Sequence, residues 1–189
     1  YDPKAGGIYI NNININKISQ KSLRQIIGVV PQDAVLFNDT IYYNIAYGNT
    51  EATKEEVISA AQNADIHDFI STLPDGYETI VGERGLKLSG GEKQRVAIAR
   101  TILKNPKIFF FDEATSALDT STEKEIQKNL EIVSKDKTTL IIAHRLSTAA
   151  NADNIIVLDQ GVIIEQGTHE SLLLEKGKYF EMWGKQKPN

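Results

Sequence analysis

Residues 88–95 read Leu88-Ser89-Gly90-Gly91-Glu92-Lys93-Gln94-Arg95, and this string decides how the rest of the chain is interpreted. A serine and two glycines at the start of a helix present backbone N–H groups, a hydroxyl donor and the positive end of the helix dipole. Together these groups suit an anion such as phosphate. For the Ser-Gly-Gly triplet alone, a plain serine cap followed by a flexible turn is the alternative, and the full string disfavours it.

Helical patterns lie on both sides of the string. Apolar residues spaced three to four apart predict a helix over residues 92–103, which ends before Pro106. Upstream, Thr53 and Glu56 match a capping box ahead of an alanine-rich apolar stripe. Residues 39–105 are therefore predicted to form a helical insert.

Apolar runs that suit strands flank this insert. Residues 26–30, 108–111 and 138–143 are continuous runs of the kind found in strands buried on both faces. Residues 8–15 and 155–164 alternate around turn residues and predict antiparallel hairpins. The pattern predicts an α/β core that the helical insert interrupts.

Polar residues follow the predicted parallel strands at the point where each strand ends. Asp112 and Glu113 end one run, and Gln32 follows another. Open α/β sheets bind ligands at the carboxyl ends of their strands. One carboxylate and the Gln32 amide suit Mg²⁺, and the second carboxylate can orient or deprotonate an attacking water. Taken singly, the carboxylates are as readily explained as a solvated cap, and Gln32 as a loop residue.

Two further residues extend this set. Asp119 closes a loop of small residues after Glu113, and His144 follows the run at residues 138–143. A histidine at a strand end can reach a γ-phosphate, although a lone histidine is more often structural.

Composition excludes several other functions. The 189 residues carry 21 Lys+Arg and 25 Asp+Glu, a net charge of −4, which offers no electrostatic case for nucleic acid or an anionic membrane. The absence of cysteine excludes a disulfide framework, a thiolate metal site and a cysteine nucleophile. No stretch approaches the roughly 18 apolar residues that a membrane-spanning helix needs.

In this order the motifs resemble those of the nucleotide-binding domain of ABC transporters. Gln32 resembles the Q-loop, residues 88–94 the signature motif, and residues 108–113 the Walker B strand with its catalytic glutamate. Residues 116–119 resemble the D-loop and His144 the switch histidine. The resemblance covers nearly the whole chain. It implies a P-loop NTPase (RecA-like) core with a mostly parallel sheet and an antiparallel hairpin, interrupted by the α-helical subdomain of the family.

The resemblance also implies how the domain is divided. Residues 1–38 would form a partial core with the Q-loop, residues 39–105 the helical subdomain with the signature motif, and residues 106–189 the rest of the core with the C-terminal helices. Together they would make one nucleotide-binding domain.

A head-to-tail dimer with two ATP molecules between the subunits is implied by the same resemblance. Mg²⁺ would be held by Asp112 and Gln32, Glu113 would act on the attacking water, and His144 would contact the γ-phosphate. Glu113 and His144 would therefore be the catalytic residues. The nucleotide-binding residues would be Gln32, Ser89, Gly90, Gly91, Glu92 and Asp119, with Ser89 and Gly91 on the γ-phosphate of the ATP held by the partner.

Finer motifs resemble one subgroup of exporters. Residues 81–85 resemble the exporter X-loop, and residues 37–41, 85–88 and 144–148 resemble the mitochondrial and heavy-metal-tolerance half-transporters of the B subfamily. The resemblance implies transmembrane domains as partners and a location at a membrane, with this domain facing the cytosol or the mitochondrial matrix.

The chain departs from the family pattern in two ways. Glu92 stands where many members have glutamine, and a carboxylate there can still accept from a ribose hydroxyl. No G-x-x-x-x-G-K-[ST] motif occurs in the sequence. We therefore expect the P-loop, with the N-terminal part of the domain, to lie upstream of Tyr1, and we expect this fragment alone to be inactive.

Two other functions are compatible with parts of the pattern. A fragment without a P-loop could serve only as an interaction or regulatory module. A soluble ABC ATPase of DNA maintenance would share the signature and Walker B motifs, but it would carry a long coiled-coil insertion. The segment between Gln32 and Asp112 is short and has no sustained heptads, which disfavours that class.

Overall fold

The structure is a computed structural model, and it describes residues 3–83, 85–112, 120–143 and 145–186. The chain divides into two units, residues 1–140 and residues 141–189, with the boundary inside a strand. Within the described ranges, no helix combines the length and apolar character that crossing a membrane requires.

The first unit opens with the predicted hairpin. Strands β1 (Tyr9–Ile10) and β2 (Ile13–Asn14) pair antiparallel, with Tyr9 opposite Asn14. The two turn residues, Asn11 and Asn12, have φ values of 47° and 63°. A type I′ turn needs positive φ at both central positions, which asparagine tolerates better than most residues.

The α-helices described in this unit mostly begin after a hydroxyl side chain at the N-cap. Helix α5 begins at Gly90, two residues before the predicted start at residue 92. It ends at Lys104 with Asn105 in the left-handed region, so the stop before Pro106 is confirmed. The helices are α1 (Gln20–Ile26), α2 (Ile41–Ala46), α3 (Lys54–Asn63), α4 (His67–Thr72), α5 (Gly90–Lys104) and α6 (Thr120–Ser134).

The central sheet has the strand order β3-β4-β5 in the described part of the chain. Its strands are β3 (Ile27–Val30), β4 (Ile108–Asp112) and β5 (Thr138–Ile142). β3 and β4 are parallel, and Val30 lies opposite Phe111. Their carboxyl ends therefore lie at one edge of the sheet.

One face of this sheet carries the core of the first unit. Val30, Phe109 and Phe111 are buried there, and Ile98 of α5 belongs to the same apolar cluster. Val29 points to the opposite face and is 54% exposed. The prediction of burial on both faces is therefore wrong for β3, because successive residues face opposite sides and the described residues cover only one of them. It is also wrong for β5, where Leu140, Ile141 and Ile142 are all exposed.

The second unit contains another hairpin, followed by short helices. β6 (Ile155–Asp159) and β7 (Val162–Gly167) pair antiparallel around Gln160 and Gly161, as predicted. The helices described in this unit are α7 (Leu146–Ala149), α8 (His169–Glu175) and α9 (Lys178–Gln186). The Glu165 carboxylate accepts from the backbone N–H groups of Lys178 and Tyr179, which fixes the start of α9 to β7.

Candidate functional site

The N-terminus of α5 is built as a capping box. Ser89 is the N-cap, and its hydroxyl oxygen accepts from the backbone N–H of Glu92 at 3.3 Å. In return the Glu92 carboxylate accepts from the backbone N–H of Ser89 at 2.7 Å. Sequence reasoning identified the capping box at Thr53 and missed this one, although Ser89-x-x-Glu92 has the same spacing as Thr53-x-x-Glu56.

This cap leaves the first turn suited to an anion. The N–H groups of Gly90 and Gly91 lie at the two positions after the cap, where a helix has no internal acceptor for them. The Ser89 hydroxyl accepts from Glu92 and so keeps its own hydrogen for an outside acceptor. Ser89 and Gly90 are exposed. The turn can therefore bind a phosphate oxygen through two backbone donors and one hydroxyl.

Gln32 and Asp112 lie at the carboxyl edge of the sheet. Asp112 is the last residue of β4 and is exposed, and Gln32 comes two residues after the end of β3. Since the two strands are parallel neighbours, the structure brings both residues to one edge, as predicted. Carboxylate and amide oxygens suit Mg²⁺, which binds through one or two carboxylates together with substrate phosphates. Within the described ranges, no three acidic or histidine side chains cluster closely enough to hold a metal ion by themselves.

The first turns of α5 are tied to the segment that carries Gln32. The Gln94 side chain is 2% exposed, and its Nε2 donates to the carbonyl of Pro31 at 3.0 Å. In the sequence Gln94 lies within the stretch of residues 88–95, and its position there indicates no role for its side chain. The structure places it between the Ser89 turn and the residue that precedes Gln32.

A buried polar network ties the middle of α5 to the chain that follows Gln32. Arg100 donates from Nη1 to the carbonyl of Val35 at 3.3 Å and contacts Asn44 through two other nitrogens. Asn44 is fully buried, and its Nδ2 donates to the carbonyls of Phe37 and Thr40 at 3.1 and 3.0 Å. Burial lowers the pKa of the Arg100 guanidinium from its ordinary value, and the Tyr47 phenol opposes that shift.

Three aromatic side chains form an exposed cluster above this network, the aromatic patch of Phe37, Tyr43 and Tyr47. Their ring centroids lie 4.6 to 6.2 Å apart, and each side chain is between 41% and 52% exposed. The Arg100 guanidinium carbon lies 5.4 Å from the centre of the Phe37 ring. Exposed aromatic clusters on a rigid base commonly mark sites of protein contact.

Residues 38–40, in the segment after Gln32, contact the loop at residues 82–85 and the residue Ile80 before it. The backbones of Thr40 and Ile80 form an antiparallel bridge, and the Asn38 side chain accepts from the backbone N–H of Glu83. Gly82 has φ of 101°, and a Cβ there would clash with the Asn38 side-chain oxygen. Only glycine fits this position, because both its backbone conformation and its close neighbour exclude a side chain.

Several predicted site residues lie outside the described residues. They are Glu113, Asp119 and His144, together with Arg84 of the loop and the small residues 114–118. The structure thus places Gln32 and Asp112 at one edge of the sheet and the Ser89 turn at the start of α5, all in the first unit. The predictions for the other residues stay predictions.

Comparison with known proteins identifies relatives over almost all of the chain. A family model described as "ABC transporter" matches residues 1–116. Heavy metal tolerance factor 1 of Caenorhabditis elegans is 59% identical over 183 residues, which are 97% of this chain and 23% of that protein. The ATM1-type heavy metal exporter of Novosphingobium aromaticivorans is 60% identical over 186 residues, 98% of this chain and 31% of that protein.

Two further matches agree with these. The mitochondrial iron-sulfur clusters transporter ABCB7 of Oryzias latipes is 57% identical over 187 residues, 98% of this chain and 25% of that protein. A solved structure described as a bacterial Atm1-family ABC exporter with ATP bound superposes with a TM-score of 0.94 at 59% identity, and covers 100% of this chain and 33% of that chain. The chain therefore spans between 23% and 33% of the length of these proteins.

Proposed function

This chain belongs to the ABC transporter family, and from that premise we propose that it is the ATP-binding and ATP-hydrolysing domain of an exporter of the Atm1 and heavy-metal-tolerance group. One observation carries the proposal. The Ser89 turn offers phosphate donors at the start of α5, while Gln32 and Asp112 offer Mg²⁺ ligands at the carboxyl edge of the sheet in the same unit.

The proposed site needs two copies of the domain. In a head-to-tail dimer, Ser89 and Gly91 of one copy donate to the γ-phosphate of the ATP that the partner holds. Gly90 adds a backbone donor, and Glu92 secures the Ser89 backbone through the capping box. Glu92 is also proposed to accept from a ribose hydroxyl, and Asp119 to lie beside the nucleotide.

The chemistry falls to residues at or just after the ends of β3, β4 and β5. Mg²⁺, when bound by Asp112 and Gln32, supplies charge neutralisation at the phosphate oxygens. Glu113 orients and deprotonates the attacking water, and His144 donates to the γ-phosphate.

The domain is proposed to have three parts. They are the partial core at residues 1–38, the helical subdomain at residues 39–105 and the rest of the core at residues 106–189.

The proposed second partner is the membrane domain of the exporter. The aromatic patch lies on the chain that follows Gln32, where Asn44 holds the backbone of Phe37. Asn38 of the same stretch bonds the loop at residues 82–85 through Glu83. We propose that this surface faces the cytoplasmic helices of the membrane domain. The protein would then be membrane-associated, with this domain in the cytosol or the mitochondrial matrix.

The proposal is favoured over the two alternatives. Helices α2 to α5 span 6 to 15 residues, too short for the coiled-coil insertion of a DNA-maintenance ATPase. A non-catalytic regulatory module would not need phosphate donors and Mg²⁺ ligands in one unit.

The test is Glu113→Gln in the full-length protein that contains this chain. We expect ATP turnover to be abolished while ATP-dependent dimerisation persists, because the amide preserves shape and removes the base. Glu55→Gln, at an exposed residue in the first turn of α3, is the control and should leave turnover unchanged. Turnover of the Glu113 variant within a few-fold of wild type would disprove its role, and a wild type without ATP turnover would favour the regulatory module.

A further inference from the structure

Side chains of α5 bind the backbone of β3 and its exit at three alternate residues. Lys104 Nζ donates to the carbonyl of Ile27 at 2.7 Å. The Thr101 hydroxyl shares its one hydrogen between the carbonyl of Ala97 at 2.9 Å and that of Val29 at 3.3 Å. The third contact is Gln94 Nε2 to the carbonyl of Pro31 at 3.0 Å. Carbonyls of alternate residues point to the same side of a strand, so α5 lines one side of β3 with donors.

The third contact acts directly on Gln32. The carbonyl of Pro31 and the backbone nitrogen of Gln32 belong to one planar peptide unit. A donor that holds the Pro31 oxygen therefore also orients the backbone from which the Gln32 side chain projects. Gln94 is 2% exposed, so water does not compete for this hydrogen bond.

The same helix carries the phosphate-binding turn. Gln94 lies five residues after Ser89, within the first turns of a 15-residue helix. A displacement of the Ser89 end is transmitted along the helix, because its backbone hydrogen bonds make it move as a unit. In the proposed dimer Ser89 and Gln32 serve different nucleotides. Ser89 contacts the ATP that the partner holds, and Gln32 serves the ATP of its own half-site.

We propose that Gln94 is a positioning residue that couples the two ATP sites of the dimer. Contact of Ser89 and Gly91 with one ATP moves α5, and the Gln94–Pro31 hydrogen bond passes that movement to Gln32 at the other site. This inference rests on the proposed function, because it requires a dimer with two shared ATP sites.

The test measures how ATP turnover of the full-length protein depends on ATP concentration. Wild type should give a Hill coefficient above about 1, with about 2 as the limit for two sites. Gln94→Met keeps the side-chain length and removes the donor, and it should lower the Hill coefficient to about 1. A variant that is only less well folded would have a lower maximal rate of ATP turnover and would keep the wild-type Hill coefficient.

Thr101→Val is the matched control. It removes the hydroxyl that the same helix presents to Val29, two residues farther from Gln32, and to Ala97, and it should keep the wild-type Hill coefficient. Gln94→Glu offers a second variant of nearly identical shape in case the methionine variant does not fold. It also lacks the donor and should behave as Gln94→Met.

A double-mutant cycle tests whether Gln94 acts through Gln32. Adding Gln94→Met to a Gln32→Ala protein should change the Hill coefficient no further. A wild-type Hill coefficient of about 1, or an unchanged value in both Gln94 variants, would overturn the coupling and leave the proposed ATPase standing. A wild type that hydrolyses no ATP would instead overturn the proposed function itself.

Discussion

Arg100 and Asn44 are joined by two hydrogen bonds across 56 residues of sequence: Nε donates to the Asn44 carbonyl at 2.7 Å and Nη2 donates to Oδ1 at 3.0 Å. Asn44 Oδ1 also accepts from the backbone N–H of Phe37 at 2.8 Å, so both ends of the buried amide are bonded. This pair fastens the chain after Gln32 to the helix that begins at Gly90.

Arg100→Lys should destabilise the domain. A lysine ammonium cannot reproduce the planar fork that reaches both Asn44 oxygens, so at least one of the two Arg100–Asn44 hydrogen bonds is lost. The expected loss in free energy of unfolding is about 1–3 kcal/mol, measured by denaturant unfolding. Arg24→Lys, on exposed α1 with a 3.4 Å contact to Gln20, is the control and should change stability by about 0.5 kcal/mol or less. Equal losses in the two variants would contradict the importance of the buried fork.

Ser89→Ala and Glu92→Gln should separate capping from phosphate binding. Ser89→Ala removes the N-cap and the hydroxyl donor, so it should cost about 1 kcal/mol of stability and most ATP turnover. Glu92→Gln retains an acceptor for the Ser89 N–H, so it should keep both the stability and the ATP turnover of wild type. Thr53→Ala removes the N-cap of α3, which has the same capping box, and provides the matched control.

The outcome is read from ATP turnover and thermal unfolding of the same preparations. Thr53→Ala should cost about as much stability as Ser89→Ala, about 1 kcal/mol, and leave turnover unchanged. A Ser89 variant with wild-type turnover would show that the hydroxyl does not serve the phosphate.

Gly82→Ala should distort the loop at residues 82–85. The new Cβ would clash with the Asn38 side-chain oxygen, and the backbone φ of 101° is unfavourable for alanine. The expected cost is about 1–3 kcal/mol, and amide hydrogen exchange at Glu83 should speed up as its bond to Asn38 is lost. Gly76→Ala is the control, because Gly76 also has positive φ but a Cβ there would meet no atom within 4 Å. A smaller effect at Gly82 than at Gly76 would contradict the steric explanation.

Alkaline pH should destabilise the first unit through Tyr77. Burial raises the pKa of its phenol to about 12, against an ordinary value of about 10, and the hydroxyl lies 2.9 Å from His67 Nδ1. The unfolded chain releases this proton first, so the contribution to stability is complete below about pH 10 and is lost between about pH 10 and 12. Tyr77→Phe cannot ionise and should lose less stability over that window.

The measurement is phenolate absorbance as a function of pH. Subtracting the titration of Tyr77→Phe from that of wild type isolates this one phenol. We expect a midpoint near 12, and a midpoint near 10 would contradict the effect of burial.

Much of the fold followed from patterns a few residues long. The capping box at Thr53, the asparagine turn after Ile10 and the end of α5 before Pro106 are confirmed. Capping, turn chemistry and hydrophobic periodicity act within a few residues, so the sequence exposes them directly. The carboxyl-edge position of Gln32 and Asp112 was predictable for a related reason, because parallel strands end together.

What the sequence by itself determined, then, was the order of the elements, their caps and the family-like motifs from Gln32 onward. Tertiary structure alone decided the contacts that join them: Gln94 to Pro31 across 63 residues, Arg100 to Asn44 across 56 and Asn38 to Glu83 across 45. It also decided that Val29 is exposed. The physical reason is that a hydrogen bond between distant residues depends on where packing places two backbones, and no local pattern encodes that distance.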